Sequence, residues 1–296
     1  MHKVLNMEQI TIKNNKLEAK IALLGAEIQE VKNLQDDFSY IWTADKKYWG
    51  RHAPILFPFI GRSNENKYLC LGKTYDMKQH GFLRDQTFKV VEQKDDEVVL
   101  ESSSTPETKA VYPYDYTVTI TYRLAKDELK AYYQVENKNS SAMYYSFGFH
   151  PGLNITSNLS DYSLHFDTKN SSLRRLLIDP APFRSGEETR TQLEDGKLAL
   201  NYPMLDDGLI IFDVADISSV SLVSSKDGNK VTEDTSDFPY LAIWSPEKKQ
   251  APFVCVEPFR GLPDKYGKPI DISMKDGEQN IIGHHTDKFD VSLRFN

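Results

Sequence analysis

Two polar residues stand out because each closes an apolar run and is followed directly by proline. His150 comes after the run Met143–Phe149, and Glu257 ends a second run that begins at Phe253. A histidine and a carboxylate can move two protons without a cofactor, acting as a general acid and a general base. Each residue also has a structural alternative: His150 as a buried ring bonded to a carbonyl, and Glu257 as the partner of a buried cation.

The simplest reaction for such a pair is the opening and closing of a sugar ring. A base removes the proton of the anomeric hydroxyl while an acid protonates the ring oxygen, and the open aldehyde recloses as the other anomer. Apolar surroundings would make Glu257 a stronger base than a solvated carboxylate. No nucleophile elbow, phosphate-binding glycine loop or dinucleotide fingerprint competes with this pair. The His284-His285 pair has no third metal ligand nearby, so we interpret it as an exposed loop.

Further polar residues are candidates for contacts with a sugar. Arg62 closes an irregular aromatic loop, where an arginine is either a pocket wall or a surface residue. His80 stands directly before Gly81, and a close approach of another group to the backbone would explain that glycine. Asp206 and Asp207 precede a glycine, so turn formation is their default role, with hydroxyl binding as the alternative.

Alternation of apolar and polar residues predicts that β-strands position these side chains. The segments 116–124 and 129–137 have a period of two and are joined by a charged turn, which indicates antiparallel strands. The best signal for a short helix lies at 105–112. Because neither repeats nor a linker interrupt the succession of strands, we expect one all-β domain over residues 1–296. Its fold is predicted to be a large antiparallel β-sandwich with few short helices.

Composition and charge exclude several classes of partner. The 36 basic and 43 acidic side chains give a formal net charge of -7, which argues against nucleic acid. The N-terminal residues 1–6 show no signal-peptide pattern, and no later segment resembles a membrane span. Cys70 and Cys255 match no metal or redox spacing. We therefore expect a cytoplasmic protein without a metal or other cofactor, and the composition carries no signal for the oligomeric state.

Taken in order, these motifs resemble the aldose 1-epimerase (galactose mutarotase) superfamily, specifically its LacX-like branch. The resemblance covers nearly the whole chain and rests on Arg62, His80-Gly81-Phe82, Phe149-His150-Pro151, Trp244-Ser245-Pro246 and Cys255-Val256-Glu257-Pro258. It implies a galactose mutarotase-like β-sandwich and a cofactor-independent isomerase that acts on a small-molecule sugar. It also implies that His150 is the general acid and Glu257 the general base, while Arg62 and His80 contact the sugar. Both catalytic groups should then face one cleft, with room for a pyranose between them.

Some motifs depart from the family pattern and leave the substrate open. Well-studied galactose mutarotases have an Asp-His pair where this chain has Asp206-Asp207, so both aspartates are candidates for the sugar contact. Arg84 follows His80 by four residues and is a candidate for binding a substrate phosphate, as in related hexose-6-phosphate mutarotases. A non-catalytic sugar-binding protein is a second functional class. A glycoside hydrolase that pairs Glu257 with Asp206 or Asp207 is a third.

Overall fold

In a computed structural model the described residues, 8–296, form 24 β-strands, one α-helix and five short 3₁₀ turns. The N-terminal residues 1–6, in which we expected no targeting segment, lie outside this described part. The strands of the first half are β1 (Gln9–Lys13), β2 (Leu17–Ala22), β3 (Ile28–Asn33), β4 (Ile55–Leu56), β5 (Lys67–Cys70), β6 (Lys73–Asp76), β7 (Lys89–Gln93), β8 (Glu97–Ser103), β9 (Tyr116–Ala125), β10 (Glu128–Asn137), β11 (Met143–Tyr145) and β12 (Phe147–Phe149). The remaining strands are β13 (Gly152–Asn154), β14 (Tyr162–Phe166), β15 (Ser172–Ile178), β16 (Arg184–Gln192), β17 (Lys197–Ala199), β18 (Ile210–Asp213), β19 (Ser219–Ser224), β20 (Lys230–Asp234), β21 (Tyr240–Trp244), β22 (Phe253–Arg260), β23 (Gln279–Ile281) and β24 (Thr286–Phe295).

Two large antiparallel sheets contain most of these strands. One has nine strands in the order β17-β14-β19-β20-β24-β10-β9-β8-β7, and the other has the order β16-β15-β18-β21-β22-β12-β4, with β13 also paired to β22. One cluster of buried apolar side chains takes residues from both sheets, including Val118, Val256 and Phe289. The structure thus confirms the predicted all-β antiparallel sandwich with few short helices.

Local signals in the sequence explain the elements that form where they were predicted. Strands β9 and β10 pair along their whole length, as the alternation at 116–137 indicated. The single α-helix, α1 (Pro106–Val111), begins at a capping box in which Thr105 and Thr108 each bond the other's backbone N–H. No helix in residues 8–296 is long and apolar enough to span a bilayer.

Two segments differ from the prediction. The run Met143–Phe149 is not one strand, because Ser146 donates its side-chain hydrogen bond to Glu278 and its backbone N–H to the Pro58 carbonyl, which divides the run into β11 and β12. Segment 183–188, a run of mainly polar residues, lies mainly in β16, which pairs with β15 at the edge of the second sheet. An edge strand with exposed faces carries no apolar alternation, so the sequence pattern did not reveal it.

Candidate active site

Strand β22 carries Glu257 on the outer face of the second sheet. Side chains alternate along a strand, so Val254 and Val256 point into the main core while Cys255, Glu257 and Phe259 point the other way. Glu257 is the fifth of the strand's eight residues, not its last residue as the sequence suggested. It pairs with Ala242 of β21 on one side. The carboxylate is therefore held by a central strand, which limits its motion.

His150 reaches Glu257 because the neighbour of β22 changes at this point. Strand β12 pairs with β22 at Phe259 and Arg260, and β13 pairs with it at Phe253, Val254 and Cys255. His150 lies between these two ladders, and its backbone N–H donates to the Pro54 carbonyl. A break in the ladder thus places the imidazole beside the carboxylate.

The two catalytic candidates are in direct contact. His150 Nε2 lies 3.2 Å from Glu257 Oε2, and the two side chains are 9% and 2% exposed. Both line one cleft, as the resemblance implied. A separation of 3.2 Å leaves no room for a pyranose between them, so the expected spacing is wrong. A sugar in the cleft must instead present its anomeric centre to both groups from the same side.

Aromatic rings enclose the imidazole of His150. The indole of Trp49 stacks on it at 4.8 Å between ring centroids, and Trp244 and His80 approach edge-on, each at 5.8 Å. His150 Nδ1 has no hydrogen-bond partner among the described residues. The ring is therefore held by packing and shielded from water, with only Nε2 facing a titratable partner.

Burial shifts the titration of both groups toward their neutral forms. Desolvation, with smaller contributions from the positive charges of Arg84 and Arg51, lowers the pKa of His150 to about 3. Desolvation also raises the pKa of the Glu257 carboxyl well above its ordinary value. A proton held by the pair is therefore favoured on Glu257 over His150.

A tight turn positions His80 beside this pair. Its backbone N–H donates to the Gly61 carbonyl, and its Nδ1 accepts from the Gly61 N–H at 3.1 Å. Gly81 has a φ of +71°, and a Cβ there would lie 2.1 Å from the Phe57 carbonyl oxygen. The close backbone approach expected from the sequence is thus the reason for this glycine.

The cleft has a volume of about 370 Å³, within the range of small-molecule sites. It is lined by Trp49, Ile60, Gly61, Gln79, His80, Arg84, His150, Pro182, Leu209, Trp244, Glu247, Glu257, Phe259 and Pro263. Arg84, the candidate for a phosphate, lies in the wall and donates from Nη2 to the Gln79 carbonyl. Aromatic faces together with a few polar groups are the usual lining of a site for a ring with apolar and hydroxyl-bearing sides.

The structure does not bring every predicted sugar contact into this cleft. Arg62 lines a neighbouring cavity of about 740 Å³, and its Nε lies 3.3 Å from Gln79 Oε1. Asp206 accepts a hydrogen bond from the backbone N–H of Lys248, and Asp207 is exposed. Neither aspartate lines the cleft, so both are turn residues, the default role for their sequence.

Cys255 completes a buried group with the catalytic candidates. Potential ligand atoms of His150, Cys255 and Glu257 all lie within 4.8 Å of one another, which is compatible with a metal ion on distance alone. Desolvation raises the pKa of the Cys255 thiol well above its ordinary value. Metals bind thiolates and carboxylates, so a buried site that favours protonated groups is poorly suited to a cation.

Sequence reasoning missed several residues of the cleft. Trp49, Gln79, Trp244 and Glu247 all line it. Glu247 lies in the turn between β21 and β22, and Trp244 Nε1 donates to its Oε1 at 3.0 Å. The signal that was available for Glu247 is its position three residues after a strand-terminal tryptophan, but charged turns are usually solvated, so this signal is weak.

Comparison with known structures assigns this fold to a class. The structure matches a galactose mutarotase-like protein from Lactobacillus casei with a TM-score of 0.94 and 40% identity, covering 98% of this chain and 100% of that chain. It also matches a galactose mutarotase related enzyme from Lactobacillus acidophilus with a TM-score of 0.92 and 30% identity, covering 98% and 97% of the two chains. The fold is therefore that of the galactose mutarotase-like proteins.

The family follows from the sequence comparison. The aldose 1-epimerase family model matches residues 8–279, and the chain belongs to that family. Within it the chain falls in the LacX-like branch. The plasmid-encoded protein LacX of Lactococcus lactis subsp. lactis is 29% identical over 268 residues, which are 86% of this chain and 88% of that protein.

Proposed function

We propose that this protein is an aldose 1-epimerase that interconverts the α and β anomers of a hexose. The observation that carries the proposal is the contact of 3.2 Å between His150 and Glu257 inside a cleft of sugar-binding size. Both groups face the same space, and the enclosing aromatic rings keep water away from them. His80 and the aromatic walls hold the sugar in that space.

The proton inventory of the pair suits a reversible ring opening. Glu257 acts as the base on the anomeric hydroxyl and His150 as the acid on the ring oxygen, so a closed sugar requires the proton on His150. After opening, Glu257 holds the proton and His150 is neutral, which is also the state that burial favours at rest. Closure reverses both transfers, and the pair carries one proton throughout, so no cofactor is needed to balance the reaction.

Binding of the pyranose must therefore move one proton from Glu257 to His150. Hydrogen bonds from sugar hydroxyls to a carboxylate stabilise its charged form, which lowers the cost of that transfer. The short distance between Nε2 and Oε2 means that neither side chain has to change rotamer for the proton to move. The site thus uses substrate binding to create the ion pair that the empty cleft disfavours.

A hexose 6-phosphate is the second candidate substrate, and Arg84 is the observation that favours it. This arginine lines the cleft, and none of the salt bridges in the described part of the chain includes it. An arginine without a carboxylate partner can bind a phosphate through two parallel hydrogen bonds. Galactose, glucose and glucose 6-phosphate are the sugars that separate these options.

The remaining hypotheses are less well supported by the site. A glycoside hydrolase would need Glu257 opposite Asp206 or Asp207, and neither aspartate lines the cleft. A non-catalytic sugar-binding protein needs no acid/base pair, yet such a pair lies at the centre of the cleft. We propose that the protein acts in the cytoplasm, where its free, buried Cys70 and Cys255 stay reduced.

Polarimetry tests the proposal directly. Freshly dissolved α-galactose, α-glucose and glucose 6-phosphate should reach anomeric equilibrium faster with the protein than in buffer. Glu257→Gln should lower the rate by about 100-fold or more, because the amide cannot accept a proton. The matched control is Glu107→Gln on α1, whose side chain does not line the cleft. Sugar binding without any acceleration by the wild-type protein would identify a binding protein instead.

A further inference from the structure

The cleft contains a second carboxylate that the proposed acid/base chemistry does not use. Glu247 is exposed in the turn after β21, and its side chain lines the cleft. Its Oε1 accepts a hydrogen bond from Trp244 Nε1, a neutral donor. None of the salt bridges in residues 8–296 includes Glu247. Its charge is therefore not neutralised by the protein.

The bond from Trp244 holds this carboxylate beside the reacting groups. The Trp244 ring lies edge-on to His150 at 5.8 Å between centroids. With Oε1 occupied by the indole N–H, Oε2 is the oxygen that can accept from a ligand. A carboxylate oxygen is a strong acceptor for a hydroxyl, and a fixed one selects where that hydroxyl must be.

Asp206 fixes the turn that carries Glu247. Its Oδ1 accepts from the backbone N–H of Lys248 at 2.8 Å, although the two residues are 42 positions apart. Lys248 has a φ of +58°, a conformation that a non-glycine residue keeps only when its surroundings stabilise it. This hydrogen bond therefore contributes to the orientation of the adjacent residue, Glu247.

The lining of the cleft also contains a group of opposite charge. Arg84 donates to the carbonyl of Gln79, next to His80, whereas Glu247 is bonded by Trp244. The cleft is thus cationic on the His80 side and anionic on the Trp244 side. A phosphate placed near Glu247 would be repelled, whereas an uncharged hydroxyl there would be bound.

We propose that Glu247 is a specificity-determining residue that binds an uncharged hydroxyl of the sugar, and that Asp206 is its positioning residue. The bound sugar then has a neutral, hydroxyl-bearing edge toward Trp244, and any anionic substituent is directed toward Arg84. The choice between hexoses that differ at one hydroxyl is made at the Glu247 edge. The inference rests on the proposed function where it is tested by KM. The affinity for sugar can be measured directly and does not require that the protein be an epimerase.

Kinetics of four single variants test the two roles. Glu247→Gln and Glu247→Ala should each raise KM for a neutral hexose about tenfold, with kcat changed less than about threefold, because a charge-assisted hydrogen bond is lost outside the proton-transfer pair. Asp206→Ala should raise KM in the same direction. Asp206→Asn should restore the wild-type KM, since its side-chain carbonyl still accepts from Lys248 N–H. Glu107→Gln is again the control.

A double variant and a binding measurement separate the possible outcomes. Glu247→Ala combined with Asp206→Ala should raise KM no further than Glu247→Ala alone, because both changes remove one contact. Sugar affinity measured by ligand-observed NMR should fall in parallel with the rise in KM. If the wild-type protein binds sugar without turnover, weaker binding by Glu247→Gln still supports this inference. Unchanged KM and affinity in Glu247→Gln overturn it, and failure of Asp206→Asn to restore KM overturns the role of Asp206.

Discussion

His150 owes its proposed role to the neighbours that exclude water from its ring. Trp49 covers one face of the imidazole, and Glu257 is the titratable group next to Nε2. Both members of the pair are pushed toward their neutral forms by the same cause, desolvation. Titration is then a property of the pair, which holds one proton between the low pKa of His150 and the raised pKa of Glu257.

The first prediction concerns the pH dependence of the proposed reaction. A solvated pair would hold one proton only between about pH 4.3 and 6.5. Here the lower limit is the His150 pKa of about 3, and the upper limit is the raised Glu257 pKa. We therefore expect kcat/KM, measured by polarimetry, to stay level as the pH falls through about 6.5 and to decline on the alkaline side, where the pair loses its proton. A loss of activity with an apparent pKa near that of free histidine would contradict the assignment.

The second prediction concerns the ring that covers the histidine. Trp49→Ala should admit water to one face of His150 and raise its pKa toward the ordinary value, because burial is the main cause of the shift. Trp49→Phe keeps an aromatic cover and should cause a smaller rise. The measurement is an NMR titration of the imidazole ring protons. An unchanged titration in Trp49→Ala would show that other neighbours set the His150 pKa.

At the scale of elements, the site depends on how closely two backbone segments approach. The turn at His80-Gly81 packs against the loop that follows β4, and a Cβ on Gly81 would overlap the Phe57 carbonyl oxygen at 2.1 Å. That loop also bonds both the backbone and the ring of His80 through Gly61. The position of His80 in the cleft therefore depends on Gly81, which does not itself line the cleft.

The third prediction compares this glycine with one that has the same conformation and free space. Gly81→Ala should lower the free energy of unfolding by about 2–4 kcal/mol, through left-handed strain plus overlap, and should also weaken sugar binding by displacing His80. Gly72 in the β5–β6 turn has a φ of +73° with nothing within 4 Å of its Cβ position. Gly72→Ala should therefore cost only about 1 kcal/mol. Equal losses for the two variants in urea unfolding would show that backbone contact is not the cause.

Period-two alternation made the central elements predictable, while the edges and interruptions were not. The hairpin β9–β10 and helix α1 follow from local signals. The break at Ser146 depends on Glu278 and Pro58, which are distant in sequence, and the edge strand β16 has no buried face to impose a pattern. Interactions between distant segments leave no local trace, so a reading of single segments misses them.

The same distinction applies to the candidate site. His150, His80, Glu257 and Arg84 all line one cleft, as expected from the motifs in the sequence. The sequence did not reveal that Arg62 lines the neighbouring cavity. Arg62 is the last residue of a loop that lies between the two cavities, so its side chain could have pointed into either one. It also did not reveal that the second carboxylate in the cleft is Glu247 rather than Asp206, since the bond from the Lys248 N–H to Asp206 joins two turns that are distant in sequence.

For the whole molecule, the core and the candidate site lie on opposite faces of the second sheet. Apolar residues from Ile10 to Phe295 form one cluster inside the sandwich, from which we infer a single domain. The cleft lies on the outer face, over smaller apolar clusters around Phe253 and Phe259. Substitutions of polar groups in the cleft should therefore leave most of the folding free energy unchanged.

A further buried carboxyl group, which lies in the core rather than in the cleft, should contribute to the pH dependence of stability. Glu233 in β20 is 2% exposed, and neither of its carboxylate oxygens has a hydrogen-bond partner among the described residues. The hydroxyl of Tyr133 also has no such partner, and burial raises the pKa of this tyrosine well above its ordinary value. Burial raises the pKa of Glu233 well above its ordinary value, so the folded protein keeps this proton.

The sign of the effect follows from where the proton is lost. The unfolded chain releases the Glu233 proton near pH 4.3, whereas the folded chain holds it to a higher pH, so this residue lowers stability by about 1.4 kcal/mol per pH unit between the two pKa values. Glu233→Gln cannot ionise and should remove that decline. In urea unfolding, the gain of Glu233→Gln over wild type should be larger at about pH 8 than at about pH 5. The difference between the two pH values cancels any constant cost of burying the amide.

Glu92→Gln, at a side chain that is 55% exposed, should show no such difference. A gain for Glu233→Gln that is the same at both pH values would mean that Glu233 is already ionised in the folded protein.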